Sequence, residues 1–163
     1  MAFILHQGYL PGCIGRVAEL HATYYSARVG FGLFFESKVA RELAAFCEAF
    51  QEGRDGLWLV LVDGRVEGSL AIDGSRTATE GAHLRWFIAS DAVRGTGAGN
   101  ALLEAAVAFC RAKDYASIYL WTFDGLAAAR HLYEKAGFEL VQEQQGSQWG
   151  KPVTEQRFEL RLG

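Results

Sequence analysis

Three glycines alternate with small residues in Arg94-Gly95-Thr96-Gly97-Ala98-Gly99-Asn100, and this run joins two segments of different period. Before it, His83-Leu84-Arg85-Trp86-Phe87-Ile88 reads as a strand; behind it, Leu103, Ala106, Val107 and Cys110 recur at helical spacing. A strand must therefore pass into a helix through backbone nearly free of side chains. Such a turn aims its N–H groups, and the partial positive charge of the helix start, at an anion. A diphosphate suits it. A Walker loop is excluded because no lysine follows the glycines, and a dinucleotide fingerprint needs Gly-x-Gly-x-x-Gly in an early βαβ unit. What remains is Arg-x-x-Gly-x-Gly, carried by Arg94, Gly97 and Gly99.

Around this junction the pattern predicts a first strand over 2–7, a helix over 12–27 and a second helix marked by Val39, Leu43, Phe46, Cys47 and Phe50. Two strands, 57–62 and 66–72, are joined by Asp63-Gly64, a short hairpin signal. A polar loop from Gly74 to Glu80 leads into strand 82–89. Ser117–Thr122 is a further strand, and Asp124 is placed to cap a helix whose apolar stripe is Leu126, Ala129, Tyr133 and Ala136. Gly137 is placed to end that helix. Strands over 138–143 and 153–160 complete the order β-α-α-β-β-β-α-β-α-β-β. An α/β domain with a mixed sheet covered by helices follows, and no linker divides residues 1–163.

The glycine turn, together with Ala129-Arg130-His131-Leu132-Tyr133-Glu134-Lys135-Ala136-Gly137-Phe138, resembles two motifs of the GCN5-related N-acetyltransferase (GNAT) family, in the family's order. The element order is also that family's. The resemblance implies an acyl-CoA N-acyltransferase fold in which two central strands splay apart and the pantetheine arm of acetyl-CoA lies between them. Coenzyme contacts are then expected at Phe87, Ile88 and Ala89, at Arg94, Gly95, Thr96, Gly97, Ala98, Gly99 and Asn100, and at Asp124, Ala129 and Tyr133. Asn100 replaces a basic residue often seen at its place, and Leu126 replaces an asparagine. Segments 84–88, 119–123 and 148–150 are similar to the acetyltransferase half of MarR-type regulator fusions. No winged-helix region is present here, and the likeness implies a small-molecule amine as acceptor without naming one.

Acyl transfer from a thioester to an amine needs the thioester held, the amine deprotonated, the oxyanion stabilised and the thiolate protonated. By the resemblance Tyr133 protonates the leaving thiolate, and an N–H near Ile88 meets the oxyanion. The alternative for Tyr133 is simple packing with its hydroxyl on a carbonyl. His83, which strict alternation places on one face with Arg85 and Phe87, is the first candidate base, and Glu80 in the preceding loop is the second. His21 reads as a core or cleft-edge histidine. Tyr24, Tyr25, Phe31, Phe34 and Phe35 offer an aromatic acceptor wall. The alternative function is a non-catalytic acyl-CoA sensor that keeps the glycine cradle alone.

Composition narrows the partners. Half the residues are hydrophobic, but no run approaches the roughly 20 apolar residues of a membrane span. The net charge of −3, without charged blocks, disfavours a nucleic-acid surface. Cys13, Cys47 and Cys110 read as free thiols, which fits a cytoplasmic protein without a leader. The four histidines share no metal-ligand spacing, so no metal is expected. A homodimer through the final hairpin, including Val153–Leu160, is a further expectation.

Overall fold

Alternation along the central strands sends neighbouring side chains to two different helical layers, and this organises everything else. A computed structural model describes residues 2–163. The elements are β1 (Ile4–Gln7), α1 (Cys13–Val29), α2 (Leu33–Glu48), β2 (Gly56–Val62), β3 (Arg65–Asp73), β4 (Ala82–Ala89), a single 3-10 turn (Asp91–Val93), α3 (Ala98–Ala112), β5 (Ser117–Phe123), α4 (Ala127–Lys135), β6 (Glu139–Gly146) and β7 (Val153–Arg161). The strands form one mixed sheet in the order β1-β2-β3-β4-β5-β7-β6. Leu57, Leu59, Val66 and Ala71 pack under α1 and α2, against Cys13, Val17, Leu43 and Phe46. Trp58, Val60, Leu70, Ile72 and Leu84 point the other way, into a larger core with Leu102, Ala106 and Cys110 of α3 and Tyr133 of α4. Cys13, Cys47 and Cys110 are free.

The order expected from the sequence holds throughout, and Asp63-Gly64 makes the β2–β3 turn with both residues at positive φ. Two local expectations fail. Asp124 does not cap α4: that helix starts after Leu126, with no side-chain cap, while the Asp124 N–H donates to the Thr154 carbonyl at 3.0 Å. β7 is paired with β5 on one side and β6 on the other, which leaves β6 at the edge of the final hairpin.

The second failure shapes the site. Strict alternation would put Trp86 with Leu84 and Phe87 with His83. Instead one residue of β3, Leu70, lies opposite two of β4, Trp86 and Phe87, between the pairs Ser69–Ile88 and Ala71–Arg85, and Trp86 sits at φ 50°. This β-bulge reverses the faces beyond it. Trp86 turns to the α1/α2 layer and meets Phe46 at 5.6 Å, while Phe87 joins the α3/α4 core. The Ser69 hydroxyl donates to the Trp86 carbonyl at 2.6 Å and anchors the distortion. Beside it, β4 and β5 run parallel but pair only at Ala82–Ile118 and His83–Tyr119 before they diverge.

Candidate functional site

The turn after β4 is built by short local bonds. Ser90 Oγ accepts the Ala92 N–H at 3.2 Å, the Arg94 N–H donates to Asp91 and the Thr96 N–H to Val93, each at 3.2 Å. Gly95 and Gly97 take φ of 76° and 85°, a region that costs a side-chain-bearing residue about 1–2 kcal/mol. α3 starts at once, closed by the Ala101 N–H on the Gly97 carbonyl at 3.0 Å. The N–H groups of Gly95, Gly97, Gly99 and Asn100 have no acceptor among the described residues, and that of Ala98 has only Thr96 Oγ1 at 3.3 Å. Uncommitted donors at the positive end of a 15-residue helix make an anion cradle. Gly99 has another purpose as well: a Cβ there would stand 3.1 Å from Leu132 Cδ1, so its lack of a side chain lets α3 approach α4. The Arg94 side chain is exposed and pairs with Asp91.

Beside this turn a cavity lies between the diverging ends of β4 and β5, and Phe87 on its wall stands 3.8 Å from where a Gly99 Cβ would be. Its walls include His21 and Tyr25 of α1, Phe35, Lys38 and Glu42 of α2, His83 to Phe87 of β4, Leu120 to Phe123 of β5, Tyr133 of α4, and Gln148 and Trp149 of the β6–β7 connection. Tyr133 is buried, its ring held by Phe87, Phe138 and Phe158 at centroid distances of 5.8, 5.9 and 5.8 Å. Burial pushes its phenol pKa well above 10. No protein group bonds its hydroxyl, and no fully buried polar side-chain atom lacks a partner among the described residues, so the hydroxyl opens on the cavity. α4 presents it there because Gly137, at φ 100°, ends the helix in a Schellman turn: the Phe138 N–H reaches the Tyr133 carbonyl at 2.9 Å and the Gly137 N–H reaches Glu134 at 3.0 Å.

Two imidazoles share the cavity. His83 stacks on Tyr119 at 4.5 Å, and burial, then Arg85, lowers its pKa to about 3. His21 is buried on α1 with Nδ1 on the Val17 carbonyl at 2.8 Å, and burial lowers its pKa to about 4. Both are neutral at pH 7. Nδ1 of His21 donates to a carbonyl, so Nε2 carries the lone pair. Glu80 is exposed, 3.9 Å from Arg76, and is not on the cavity wall. Asp124 lies outside it too, in a neighbouring hollow with Gly125 and Arg130. Ala129 is half-buried against the α3 core. Of the expected aromatic wall, Tyr25 and Phe35 face the cavity; Phe31 packs behind them, and Phe34 is exposed against Gly150.

The group the sequence did not disclose is ionic. Glu42 accepts from Lys38 at 2.6 Å and from Arg85, and these cations hold its pKa below the usual carboxylate value against the opposing effect of burial. The Arg85 guanidinium also lies over the Trp86 ring at 4.2 Å. Lys38 and Glu42 are an i,i+4 pair on an amphipathic helix, a pattern that most often marks a solvated face. Among the described residues no cluster of three or more His, Cys, Asp or Glu is placed to hold a metal.

A glycine turn at a helix start thus stands beside a cleft between parallel strands that part. The family model described as "Acetyltransferase (GNAT) family" matches residues 16–138. The chain belongs to the GNAT family of acetyltransferases. It is thereby an acetyl-CoA-dependent acyltransferase. No curated protein matches the sequence. Solved GNAT folds superimpose over nearly the whole chain. An acetyltransferase from Staphylococcus aureus Mu50 is 16% identical with a TM-score of 0.80, covering 99% of this chain and 100% of that one. YncA from Salmonella typhimurium, solved with its cofactor acetyl-CoA, is 16% identical with a TM-score of 0.77, over 100% of this chain and 95% of that one. The ribosomal-protein-S18-alanine N-acetyltransferase from Escherichia coli is 16% identical with a TM-score of 0.70, over 98% and 95%. At these identities the GNAT fold is what is shared.

Proposed function

We propose that this GNAT protein moves an acetyl group from acetyl-CoA directly to a primary amine of a small, amino acid-like molecule, with both bound at once. One observation carries the reading: uncommitted N–H groups at Gly95–Asn100 lie beside Phe87, on the wall of a cleft where the Tyr133 hydroxyl has no partner among the described residues. Those donors fit the diphosphate of coenzyme A, with Thr96, Ala98 and Asn100 shaping the turn and Arg94 at its rim. Phe87, Ile88 and Ala89 border the pantetheine side, and Ala129 packs behind it. Bound there, acetyl-CoA supplies a thioester carbonyl for the amine to attack.

The chain's own residues supply the rest. Tyr133, kept protonated by burial, holds a proton toward the thiolate that leaves as the C–S bond breaks. His83 takes the proton released when the C–N bond forms. A base this weak removes nothing from an ammonium ion, so the acceptor binds as the free amine and its proton departs only after attack has made the nitrogen acidic. Glu80 has no part because it lies off the cavity wall. The small acceptor is inferred from the aromatic lining of the cleft; an N-acetyltransferase among the neighbours supports transfer to nitrogen. A cytoplasmic setting is inferred from the free thiols.

Calorimetry with acetyl-CoA, followed by CoA release with an amine panel, tests this. Binding with amine-dependent thiol release is expected. Binding without release supports a sensor instead, and no binding at millimolar acetyl-CoA removes the reading.

A further inference from the structure

The polar groups that line the acceptor end of the cavity are unequal in number and kind. Two cations, Lys38 and Arg85, face one carboxylate, Glu42. Glu42 is fully engaged, one oxygen on each cation. Arg85 spends only Nη2 on it, so Nε and Nη1 have no acceptor among the described residues; Lys38 likewise makes no other bond. Trp86 stacks under the guanidinium at 4.2 Å and keeps its plane fixed. Beside these donors stand Tyr25, Phe35, Trp121, Phe123 and Trp149. The remaining charges nearby are satisfied outside the wall: Arg157 pairs with Glu159 at 2.7 Å, and Asp73 accepts the Ser75 N–H at 2.9 Å.

From this we infer that the acceptor carries a carboxylate, held by the free donors of Arg85 and Lys38, on an amine whose side group is aromatic or bulky and apolar. An apolar free amino acid has that chemistry. The inference rests on the N-acetyltransferase reading and narrows it. The unused Nε–H and Nη1–H lie on different edges of the guanidinium, so each can donate a charge-assisted hydrogen bond to a carboxylate oxygen, and a surplus of one positive charge on the wall repels an acceptor that brings only a cationic amine. The aromatic rings take the side group. The neutral imidazoles of His83 and His21 are then the acceptors available to the amine N–H.

The test compares each amino acid with its own amide, phenylalanine with phenylalaninamide and tryptophan with tryptophanamide, by CoA release at saturating acetyl-CoA. The amide has the less basic amine, so reactivity alone favours it. We expect kcat/KM for the acid to exceed that for the amide by about tenfold or more, the size of one charged hydrogen bond. Arg85→Gln brings the ratio to about one, and Lys38→Gln lowers it. The second variant stands in if the first fails to fold by melting. Equal or better use of the amides, a ratio unchanged in both variants, or turnover confined to amines without a carboxylate overturns the inference and leaves N-acetylation standing. Failure of acetyl-CoA to bind or to release thiol with any amine removes the underlying reading instead.

Discussion

Removing the single oxygen of Tyr133 separates catalysis from packing. In Tyr133→Phe the ring keeps its contacts with Phe87, Phe138 and Phe158. The lost hydroxyl had no protein partner, so stability should change by no more than about 0.5 kcal/mol, a melting shift of roughly 2 °C at this size. General acid catalysis is worth about 10²–10⁴-fold. Burial that raises the phenol pKa also makes the group a weaker acid, which puts the expected fall in kcat near the lower end, about 10²-fold or roughly 2.7 kcal/mol. A proton donor acts in the transition state, so kcat and kcat/KM should fall together while acetyl-CoA affinity holds. The same raised pKa keeps the group protonated across neutral pH, so the deficit should be constant from about pH 6 to 9. Thiol release, calorimetry and melting measure all three quantities. A variant that keeps kcat within about threefold of the parent, with unchanged affinity, refutes the assignment. Tyr133→Ala serves as the contrast: it empties a ring-sized space and should cost about 3–5 kcal/mol of stability.

Gly97→Ala forces a side chain to φ 85° and should cost about 1–2 kcal/mol of stability while weakening acetyl-CoA binding by about tenfold, since the N–H directions shift; calorimetry showing parental affinity argues against the cradle. Asp55, only 4% exposed, accepts the Gln51 and Gly74 N–H groups at 2.9 and 2.8 Å. Asp55→Ala strands both and should lose about 2–4 kcal/mol in urea melts; a loss under about 1 kcal/mol contradicts that accounting. His21 titrates near 4 when folded and near 6.5 when unfolded, so the unfolded chain binds more protons between these values and stability falls as pH drops through that window. His21 contributes roughly 3 kcal/mol to the loss, and because His83 acts in the same direction, His21→Leu should make the fall of the urea midpoint with pH shallower; an unaltered slope denies His21 this role.

What could be read from the chain was local. Period-3.6 stripes, the Asp63-Gly64 hairpin, the glycine turn and Gly137 depend on residues within a few positions of each other, and each lies where expected. So does the helical position of Tyr133. Asp124 was misread because a capping residue two positions early looks the same in sequence; the Thr154 carbonyl across the sheet, which takes its N–H, was not visible there. Trp86 was misread for a similar reason: alternation is a rule for regular strands, and the bulge exists because β4 must match β3 at Ser69 and Ala71. The acceptor pocket was the least legible part. Glu42 and Arg85 are ordinary surface residues on paper, and Trp149 belongs to a turn; only the parting of β4 from β5, under helices packed from the other end of the chain, brings them to one cavity. Propensity and periodicity are properties of neighbouring residues, whereas a cleft is made where distant segments stop touching, and that balance is decided by the packed whole.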